Sequence, residues 1–285
     1  MILFPNAKIN VGLRILRKRP DGYHDLASVF VPVMWCDILE ITRAPKDSFR
    51  LAGAPLDCAD ADNIVLKALR VLARETGIKL PPLDIVLEKH IPSGAGLGGG
   101  SADAAFALKG VNELLGLGLD EAALAAVAAK VGADCPFFIY NTPALATGIG
   151  DVLQPVDASA LNGLYVVIVK PGAQSVSTAE AYAGVTPAEI GPEEDLVRAF
   201  MLPAECWSRS ELIVNDFEPS VFGRRPAIAA AKDAMAAAGA LYCAMSGSGA
   251  AVFGIFADDA QARAAAASFA GCDVFCQRFS GFKAP

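Results

Sequence analysis

The sequence predicts a two-domain α+β protein, with strands concentrated in its first third and alanine-rich helices in its last. Apolar runs with the composition of strands occur early, at residues 7–16, 28–33 and 37–43. Alanine, which loses no side-chain entropy in a helix, is concentrated at 122–129, 227–238 and 260–267. A change of character past the middle of the chain places the boundary near residue 155, giving domains 1–155 and 156–285.

Other elements can be placed between these runs. Apolar residues at helical spacing predict a helix over 63–76 that Gly77 ends. A strand at 83–90 leads directly into a glycine-rich loop. Further helices are predicted at 101–115 and at 120–131, the second with Asp120 as its N-cap, and further strands at 164–169 and 250–256.

Composition and charge exclude several classes of protein. Hydrophobic residues make up 54% of the chain and charged residues 19%, which is typical of a globular protein and not of a disordered one. The net charge of −7 disfavours nonspecific binding to nucleic acid or to an anionic membrane, since both need a positive field. An anionic small-molecule substrate remains possible, because a few local cations can govern one pocket.

The chain is expected to be cytoplasmic. No apolar run is long enough to cross a bilayer, and the first ten residues lack the basic and apolar regions of a signal peptide. Seven cysteines form no CxxC pair, which indicates buried thiols in a reducing compartment. With only two histidines in the chain, no zinc site is expected.

The strongest functional signal is the glycine-rich loop between the strand at 83–90 and the following helix. It reads Pro92-Ser93-Gly94-Ala95-Gly96-Leu97-Gly98-Gly99-Gly100-Ser101, followed by Ala102. Glycines allow positive φ angles and a close approach of the backbone to a ligand, and free N–H groups at a helix start attract anions. A flexible turn is the alternative, but five glycines between two well-formed elements favour a phosphate-binding loop.

Neither common nucleotide motif explains this loop. Gly94, Gly96 and Gly99 satisfy the spacing of the dinucleotide fingerprint, but that fingerprint needs a second strand soon after the helix, and here a second helix follows. The chain contains no Gly-Lys pair, which excludes a Walker A loop.

The loop resembles the phosphate loop of the GHMP kinases, a family that includes galactokinase, homoserine kinase and mevalonate kinase. Segments 7–10 and 245–249 are similar to two flanking motifs of that family, so the resemblance covers nearly the whole chain in the right order. It implies an N-terminal domain like ribosomal protein S5 domain 2, a ferredoxin-like C-terminal domain and a substrate cleft between them. It also implies phosphoryl transfer from ATP, with Mg²⁺, to a small-molecule alcohol.

The resemblance also implies the catalytic residues. Lys8 and Asp134 match the family's catalytic pair, in which the aspartate accepts the proton of the substrate hydroxyl and the lysine keeps the aspartate ionised. Asn10 lies on the same strand face as Lys8 and is expected to bind the substrate or that carboxylate. Lys89 resembles a family lysine close to the nucleotide phosphates. From the residues alone, Asp134 would be a cap or turn residue and both lysines would be solvated.

Two further segments indicate the substrate. Residues 17–26 and 132–138 are similar to those of family members that act on a cytidylyl diphosphate ester. Tyr23 can stack on the cytosine ring and His24 can hydrogen-bond its edge, although His24 alone could be an ordinary turn residue. Tyr182 matches a second aromatic residue that closes the other side of the base, and Thr178 lies nearby in the sequence.

Several alternatives remain open from the sequence. The chain could be another GHMP kinase, of the homoserine or mevalonate type, or a catalytically silent relative that senses nucleotides. Ser101 is expected to cap the helix after the loop and could also hold magnesium. Gly247 and Gly249 are expected to support the nucleotide site from the second half. The protein is expected to be a monomer or a homodimer, with no nucleic-acid or membrane partner.

Overall fold

The computed structural model describes residues 1–54, 62–172, 174–185, 187 and 213–283. In these residues the strands are β1 (Ile2–Leu3), β2 (Asn6–Lys18), β3 (His24–Cys36), β4 (Ile38–Arg43), β5 (Ser48–Gly53), β6 (Leu83–Lys89), β7 (Ala144–Thr147), β8 (Val152–Pro155), β9 (Tyr165–Lys170), β10 (Tyr242–Met245), β11 (Val252–Phe256) and β12 (Asp273–Arg278). The helices are α1 (Ile64–Thr76), α2 (Gly99–Leu115), α3 (Glu121–Ala129), α4 (Cys135–Tyr140), α5 (Thr178–Ala183), α6 (Glu218–Arg224), α7 (Pro226–Ala237) and α8 (Asp259–Ser268), with a 3₁₀ helix at Ser159–Leu161.

The chain forms two compact units, and each is assembled from separated segments. The first unit contains Met1–Ala7, Met34–Ser93 and Gly98–Thr142. The second contains Lys8–Val33, Gly94–Leu97 and Pro143–Pro285. The chain therefore enters the second unit twice before residue 143, once for the paired strands near its start and once for four residues of the glycine loop. The boundary near residue 155 stays a prediction.

The first unit is a four-stranded sheet with helices packed on it. The strand order is β1-β4-β6-β5, in which β4 is antiparallel to β1 and β6, and β5 is parallel to β6. Burial alternates along β6, so that Leu83, Ile85, Leu87 and Lys89 all point into the core. Helix α2 packs against β4 and also contacts α1, α3 and α4. The sheet thus brings the end of β6 and the start of α2 into one buried region.

Two of the helices in this unit begin at side-chain caps, of which the sequence predicts Asp120, and the sequence also predicts the end of α1 at Gly77. The Asn63 side chain accepts a hydrogen bond from the Val65 N–H at 2.9 Å, and Gly77 ends α1 in the left-handed conformation. Asp120 accepts the Ala123 N–H at 2.8 Å and begins α3. Both predicted helices are therefore confirmed to within two residues.

The second unit contains two four-stranded sheets, with strand orders β2-β3-β7-β8 and β10-β11-β9-β12. In the latter sheet β11 and β12 pair antiparallel with the buried strand β9, and β10 pairs antiparallel with β11. Helix α7 packs on β10 and β11, while α8 packs on β9, β11 and β12. The core of this part is formed by apolar residues of β9 and β11 together with Met235 of α7 and the small residues Ala262 and Ala265 of α8.

The α+β prediction is confirmed, and the predicted strands and helices are all present. The helix after the loop begins at Gly99 instead of residue 101, and Gly98 occupies its N-cap position, so the prediction that Ser101 caps it is wrong. The described cysteines are free thiols, of which Cys135 is buried and the others are half-buried. Among the described residues, no helix combines the length and apolar content that a membrane crossing requires.

Candidate active site

The glycine loop connects the end of β6 to the start of α2 by a backbone that only glycine adopts readily. Gly94, Gly96 and Gly98 have φ angles of 60°, 73° and 73°, in the left-handed region. The non-glycine residues between them, Ala95 and Leu97, are buried and anchor the loop. Of the other predicted loop residues, Ala102 is buried, Pro92, Gly99 and Ser101 are half-buried, and Ser93 and Gly100 are exposed.

The carbonyl groups of residues 94–97, the part of the loop that belongs to the second unit, all accept hydrogen bonds within that unit. Gly94 O accepts from the Ala250 N–H and Ala95 O from the Ala251 N–H, both at 3.0 Å. Gly96 O accepts from the Ser246 hydroxyl at 3.0 Å, and Leu97 O from the Lys8 N–H at 2.9 Å. Among the described residues, no N–H group of these four residues donates a hydrogen bond. The loop therefore uses its acceptors internally and keeps its donors for a ligand.

The second glycine segment, residues 246–249, packs directly on this loop, and its support of a nucleotide stays a prediction. A Cβ atom placed on Gly96 would lie 2.0 Å from the Ser246 carbonyl oxygen, so the two backbones are in direct contact. A Cβ atom placed on Gly247 would lie 3.1 Å from both Asn10 Oδ1 and the Gly96 carbonyl oxygen. The buried Asn215 side chain donates to the carbonyl oxygens of Met245 and Gly247, at 2.7 and 2.8 Å, and holds this segment in place.

Lys8 is buried beside the loop and is only 3% exposed. The expectation that it would reach solvent, as a lone lysine on a strand usually does, is therefore wrong. Its Nζ donates to Asn10 Oδ1 and, at 3.2 Å, to Gly96 O, and it lies 4.8 Å from the centre of the Phe30 ring. Asn10 is fixed in turn, since its Nδ2 donates to Ser28 Oγ at 2.8 Å. The structure therefore joins Lys8, Asn10 and the glycine loop in one network.

Asp134 is half-buried at the N-cap position of α4, in the first unit. Asp134 thus lies in the cap and turn position that its residue type favours, although its side chain makes no capping hydrogen bond to the helix. The next residue, Cys135, is buried within hydrogen-bonding reach of the Ser101 hydroxyl, and burial raises the pKa of its thiol to about 11. This thiol is therefore neutral near pH 7 and places no negative charge next to Asp134. The pairing of Asp134 with Lys8 stays a prediction.

Lys89 is also buried, at 4% exposure, which contradicts the solvated alternative. Its Nζ forms ion pairs with Asp37 Oδ2 and, at 2.7 Å, with Asp103 Oδ2. Burial alone would lower the pKa of Lys89, but the charges of Asp103 and Asp37 outweigh it and the pKa is raised. Its predicted contact with a nucleotide phosphate stays a prediction.

Of the predicted substrate-binding residues, His24 and Tyr182 are in contact. The His24 and Tyr182 rings stack with centroids 4.8 Å apart, and Tyr182 meets the Phe217 ring edge-on at 4.9 Å. Burial, and then the positive charge of Lys18, lowers the pKa of His24, so the imidazole is neutral near pH 7. Tyr23 is 60% exposed and Thr178 is exposed at the start of α5. Because the stacked rings touch, no base lies between His24 and Tyr182.

Four residues that position this region were not identified from the sequence. Asp37 and Asp103 neutralise Lys89, while Ser246 and Asn215 fix the second glycine segment. One signal was available for the lysine: the alternation of β6 places Lys89 in register with three buried apolar residues, and a buried lysine needs an anion. No comparable local pattern indicates which carboxylates supply it.

Family models match both parts of the chain. The description "GHMP kinases N terminal domain" applies to residues 63–142, which include the glycine loop and Asp134, and "GHMP kinases C terminal" applies to residues 201–272. The chain belongs to the GHMP kinase family, and its fold is the two-domain fold of these kinases.

Similar proteins within the family share one name. A protein of Parabacteroides distasonis named 4-diphosphocytidyl-2-C-methyl-D-erythritol kinase is 52% identical over 256 residues, covering 90% of this chain and 92% of the relative. A protein of the same name from Porphyromonas gingivalis is 47% identical, covering 92% and 94%. A crystal structure of 4-(cytidine 5'-diphospho)-2C-methyl-D-erythritol kinase superposes with a TM-score of 0.78 at 31% identity, covering 97% of this chain and 98% of that one.

Replacement of Gly96 by alanine tests the backbone contact at the loop. The added Cβ meets the Ser246 carbonyl oxygen, and the φ of 73° disfavours any L side chain. We expect Gly96→Ala to lower the free energy of unfolding by about 2 kcal/mol or more. Gly100→Ala is the matched control, because its Cβ would meet only Ile64 Cγ2 at 3.7 Å and should change stability by less than about 1 kcal/mol. Urea unfolding measures both, and equal stability of the two variants would contradict the contact.

Asp103 is expected to make stability depend on pH. Burial raises the pKa of Asp103 to about 8, the charge of Lys89 partly offsets this, and the carboxylate of Asp37 adds to it. The folded protein therefore binds a proton that the unfolded chain, with a pKa of about 4, releases. This contribution to stability is complete below pH about 4 and is lost as the pH rises through about 8.

The Asp103→Asn variant, which cannot ionise, provides the comparison. The free energy of unfolding of the wild type, relative to this variant, should fall by up to about 1.4 kcal/mol per pH unit between pH about 5 and about 8. It should level off at higher pH. Urea unfolding at several pH values measures the difference, and parallel pH profiles for the two proteins would show that Asp103 has no raised pKa.

Proposed function

We propose that this protein transfers the γ-phosphoryl group of ATP to the 2-hydroxyl of 4-diphosphocytidyl-2-C-methyl-D-erythritol. The products are the 2-phosphate and ADP, in the non-mevalonate route to isoprenoid precursors. The observation that carries the kinase assignment is the glycine loop, whose carbonyl groups are engaged while its N–H groups are available. The acceptor is supported by relatives that bear this name at 52% and 47% identity over nine-tenths of the chain, which also disfavours the homoserine, mevalonate and silent-sensor alternatives.

The loop is the proposed cradle for the triphosphate. Backbone N–H groups that follow one another with left-handed glycines between them form a concave set of donors for anionic oxygens. The start of α2 adds further unpaired N–H groups and the positive end of a helix dipole. Because phosphoryl transfer passes through a loose transition state, fixed donors of this kind can supply much of the rate.

Lys8 is the proposed cation of the reaction. Its ammonium group is held by Asn10 and by the Gly96 carbonyl group, so it cannot swing away from the loop. Burial makes its charge effective over a longer range than that of a solvated lysine. In the proposed reaction it stabilises the charge that develops on the transferred phosphoryl oxygens and keeps Asp134 ionised.

Asp134 is the proposed proton acceptor. The substrate oxygen forms a bond to the γ-phosphorus while the bond from that phosphorus to the leaving oxygen of ADP breaks, and the hydroxyl proton passes to the Asp134 carboxylate. This role is supported by the family resemblance at residues 132–138 and by the half-buried position of Asp134 at the start of α4.

Magnesium is the proposed metal, and the residues present fit an ion held mainly by the nucleotide. Within the described ranges, no three His, Cys, Asp or Glu side chains converge to hold a metal ion. Mg²⁺ in kinases keeps several waters and binds substrate phosphates with one or two protein oxygens, so a dedicated cluster is not needed. The half-buried Ser101 hydroxyl, in the first turn of α2, could supply one such oxygen. When bound, the ion would neutralise phosphate charge.

The cytidine group is proposed to bind at the aromatic cluster of the second unit. The exposed Tyr23 ring is available for stacking, and the neutral His24 imidazole can hydrogen-bond the base edge. Tyr182 braces His24 from the other side through the observed stacking. Thr178 and Asn10 keep their predicted substrate-binding roles, and the cytoplasmic location and the monomer or homodimer state also stay predictions.

Release of ADP with different alcohols tests the proposed acceptor. The purified protein is incubated with ATP, magnesium and, in separate reactions, the cytidylyl ester, homoserine or mevalonate. We expect turnover with the cytidylyl ester, because the chain resembles named kinases of that ester over nine-tenths of its length. Phosphorylation of homoserine or mevalonate alone would reassign the acceptor, and nucleotide binding without any turnover would indicate a silent relative.

Asp134→Ala tests the proposed base. We expect kcat to fall by about 100-fold or more, which is the usual contribution of a positioned acid or base, while the dissociation constant for ATP changes by less than about threefold. Asp120→Ala, which removes an exposed aspartate that caps α3 in the same unit, is the control and should leave kcat unchanged. Full activity of Asp134→Ala would remove Asp134 from this role.

A further inference from the structure

Three charged side chains are buried together at the base of the glycine loop. Lys89 is 4% exposed, Asp103 is 1% exposed and Asp37 is fully buried. Lys89 ends β6, immediately before the loop, and Asp103 lies in α2, immediately after it. Asp37 lies between β3 and β4, in a part of the chain remote from both. Such a group is expensive to desolvate and persists only where each charge is matched.

The hydrogen bonds of Asp37 reach the chain just ahead of the loop. Its Oδ1 accepts the N–H groups of His90 and Ile91, at 2.6 and 2.8 Å, and its Oδ2 accepts from Lys89 Nζ. Lys89 Nζ then donates to Asp103 Oδ2 at 2.7 Å. One continuous path thus runs from the residues that enter the loop, through Asp37 and Lys89, to the helix that leaves it.

The packing around this path is tight. A Cβ atom on Gly99 would lie 2.9 Å from Ile91 Cγ2 and 3.4 Å from Lys89 Nζ, so the first residue of α2 rests directly on the two residues that precede the loop. On the other side, a Cβ atom on Gly53 would lie 2.3 Å from the Lys89 carbonyl oxygen. The ammonium group is therefore enclosed by backbone and by two carboxylates.

We infer that Asp37, Lys89 and Asp103 are positioning residues that set the distance between the end of β6 and the start of α2, and thereby shape the phosphate loop. This inference rests on the proposed function. In it, Lys89 acts on the nucleotide through the loop and not by contact with a phosphate. The two carboxylates occupy its donors, and the path they form fixes the N–H groups of the first turn of α2 relative to the chain that enters the loop.

The two roles of Lys89 predict opposite effects of removing its partners. If Lys89 were a phosphate ligand, Asp37→Asn and Asp103→Asn would release its ammonium group, and the affinity for ATP would rise or stay the same. If Lys89 positions the loop, both substitutions break the path and the affinity falls. Each replacement keeps the size of the side chain and one acceptor oxygen, while the amide group that takes the place of the other oxygen cannot accept from Lys89 Nζ.

The experiment measures KM for ATP, KM for the cytidylyl ester and kcat for Lys89→Met, Asp37→Asn and Asp103→Asn. We expect KM for ATP to rise about 10-fold or more in Lys89→Met and Asp37→Asn, as for a small misplacement of a binding loop, and to rise in the same direction in Asp103→Asn. KM for the cytidylyl ester should stay within about twofold, because none of the residues proposed to bind that ester takes part in this path. Calorimetric binding of adenosine, which lacks phosphates, should be unchanged.

The control is Lys109→Met. Lys109 is a half-buried lysine of α2 whose Nζ donates to the Ile139 carbonyl oxygen at 3.1 Å and not to the loop. It should leave KM for ATP unchanged. If Lys89→Met does not fold, the test uses the two asparagine variants and the double variant Lys89→Met/Asp103→Asn. Because both substitutions interrupt the same path, KM for ATP in the double variant should rise by no more than in a single variant. If the protein does not phosphorylate the cytidylyl ester, calorimetry with a nonhydrolysable ATP analogue replaces the KM measurement. This inference can therefore be tested even if the proposed acceptor is wrong.

Lower or unchanged KM for ATP in both asparagine variants would overturn the inference and make Lys89 a phosphate ligand. An equal loss of affinity for ATP, adenosine and the cytidylyl ester would also overturn it, since that pattern reports general unfolding of the site.

Discussion

The direct contact of two glycine-rich backbones is the constraint on which this site depends. Gly96 lies against the Ser246 carbonyl oxygen with no space for a side chain, and Gly94 and Ala95 accept hydrogen bonds from Ala250 and Ala251. These contacts decide which way the peptide groups of the loop face. Once the carbonyl groups are committed to the protein, the N–H groups of the loop remain as donors for the proposed phosphate cradle.

Much of the fold follows from local chemistry that is visible in the sequence. Asn63 and Gly77 delimit α1, Asp120 begins α3, and alanine-rich segments become α3, α7 and α8. The glycine loop was also identifiable, because five glycines between a strand and a helix have few other uses. The start of α2 was misplaced by two residues because Gly98, a residue without a side-chain cap, occupies the N-cap position, and the sequence pattern favoured Ser101.

The partners within the site could not be predicted in the same way, since they are remote in sequence. Lys89 meets Asp37 from 52 residues away, and the Ser246 hydroxyl reaches Gly96 from 150 residues away. The usual exposure of lysine side chains also gave a wrong expectation. Lys8 and Lys89 would ordinarily reach solvent, but both are buried. Family resemblance supplied the importance of these lysines, but only the three-dimensional arrangement shows that each is neutralised or held by a specific set of oxygens.

The commitment of the loop carbonyl groups has a consequence for inhibitor chemistry. A compound that competes for the loop meets a row of donors, because the carbonyl oxygens of residues 94–97 already accept hydrogen bonds from Ala250, Ala251, Ser246 and Lys8. Sulfonates, carboxylates and other acceptor-rich groups therefore match this surface, whereas amines and amidines, common in compounds aimed at protein kinases, find few oxygens to bind there. Selectivity over kinases with other phosphate loops would then come from the shape of this backbone and not from a contact with any one side chain.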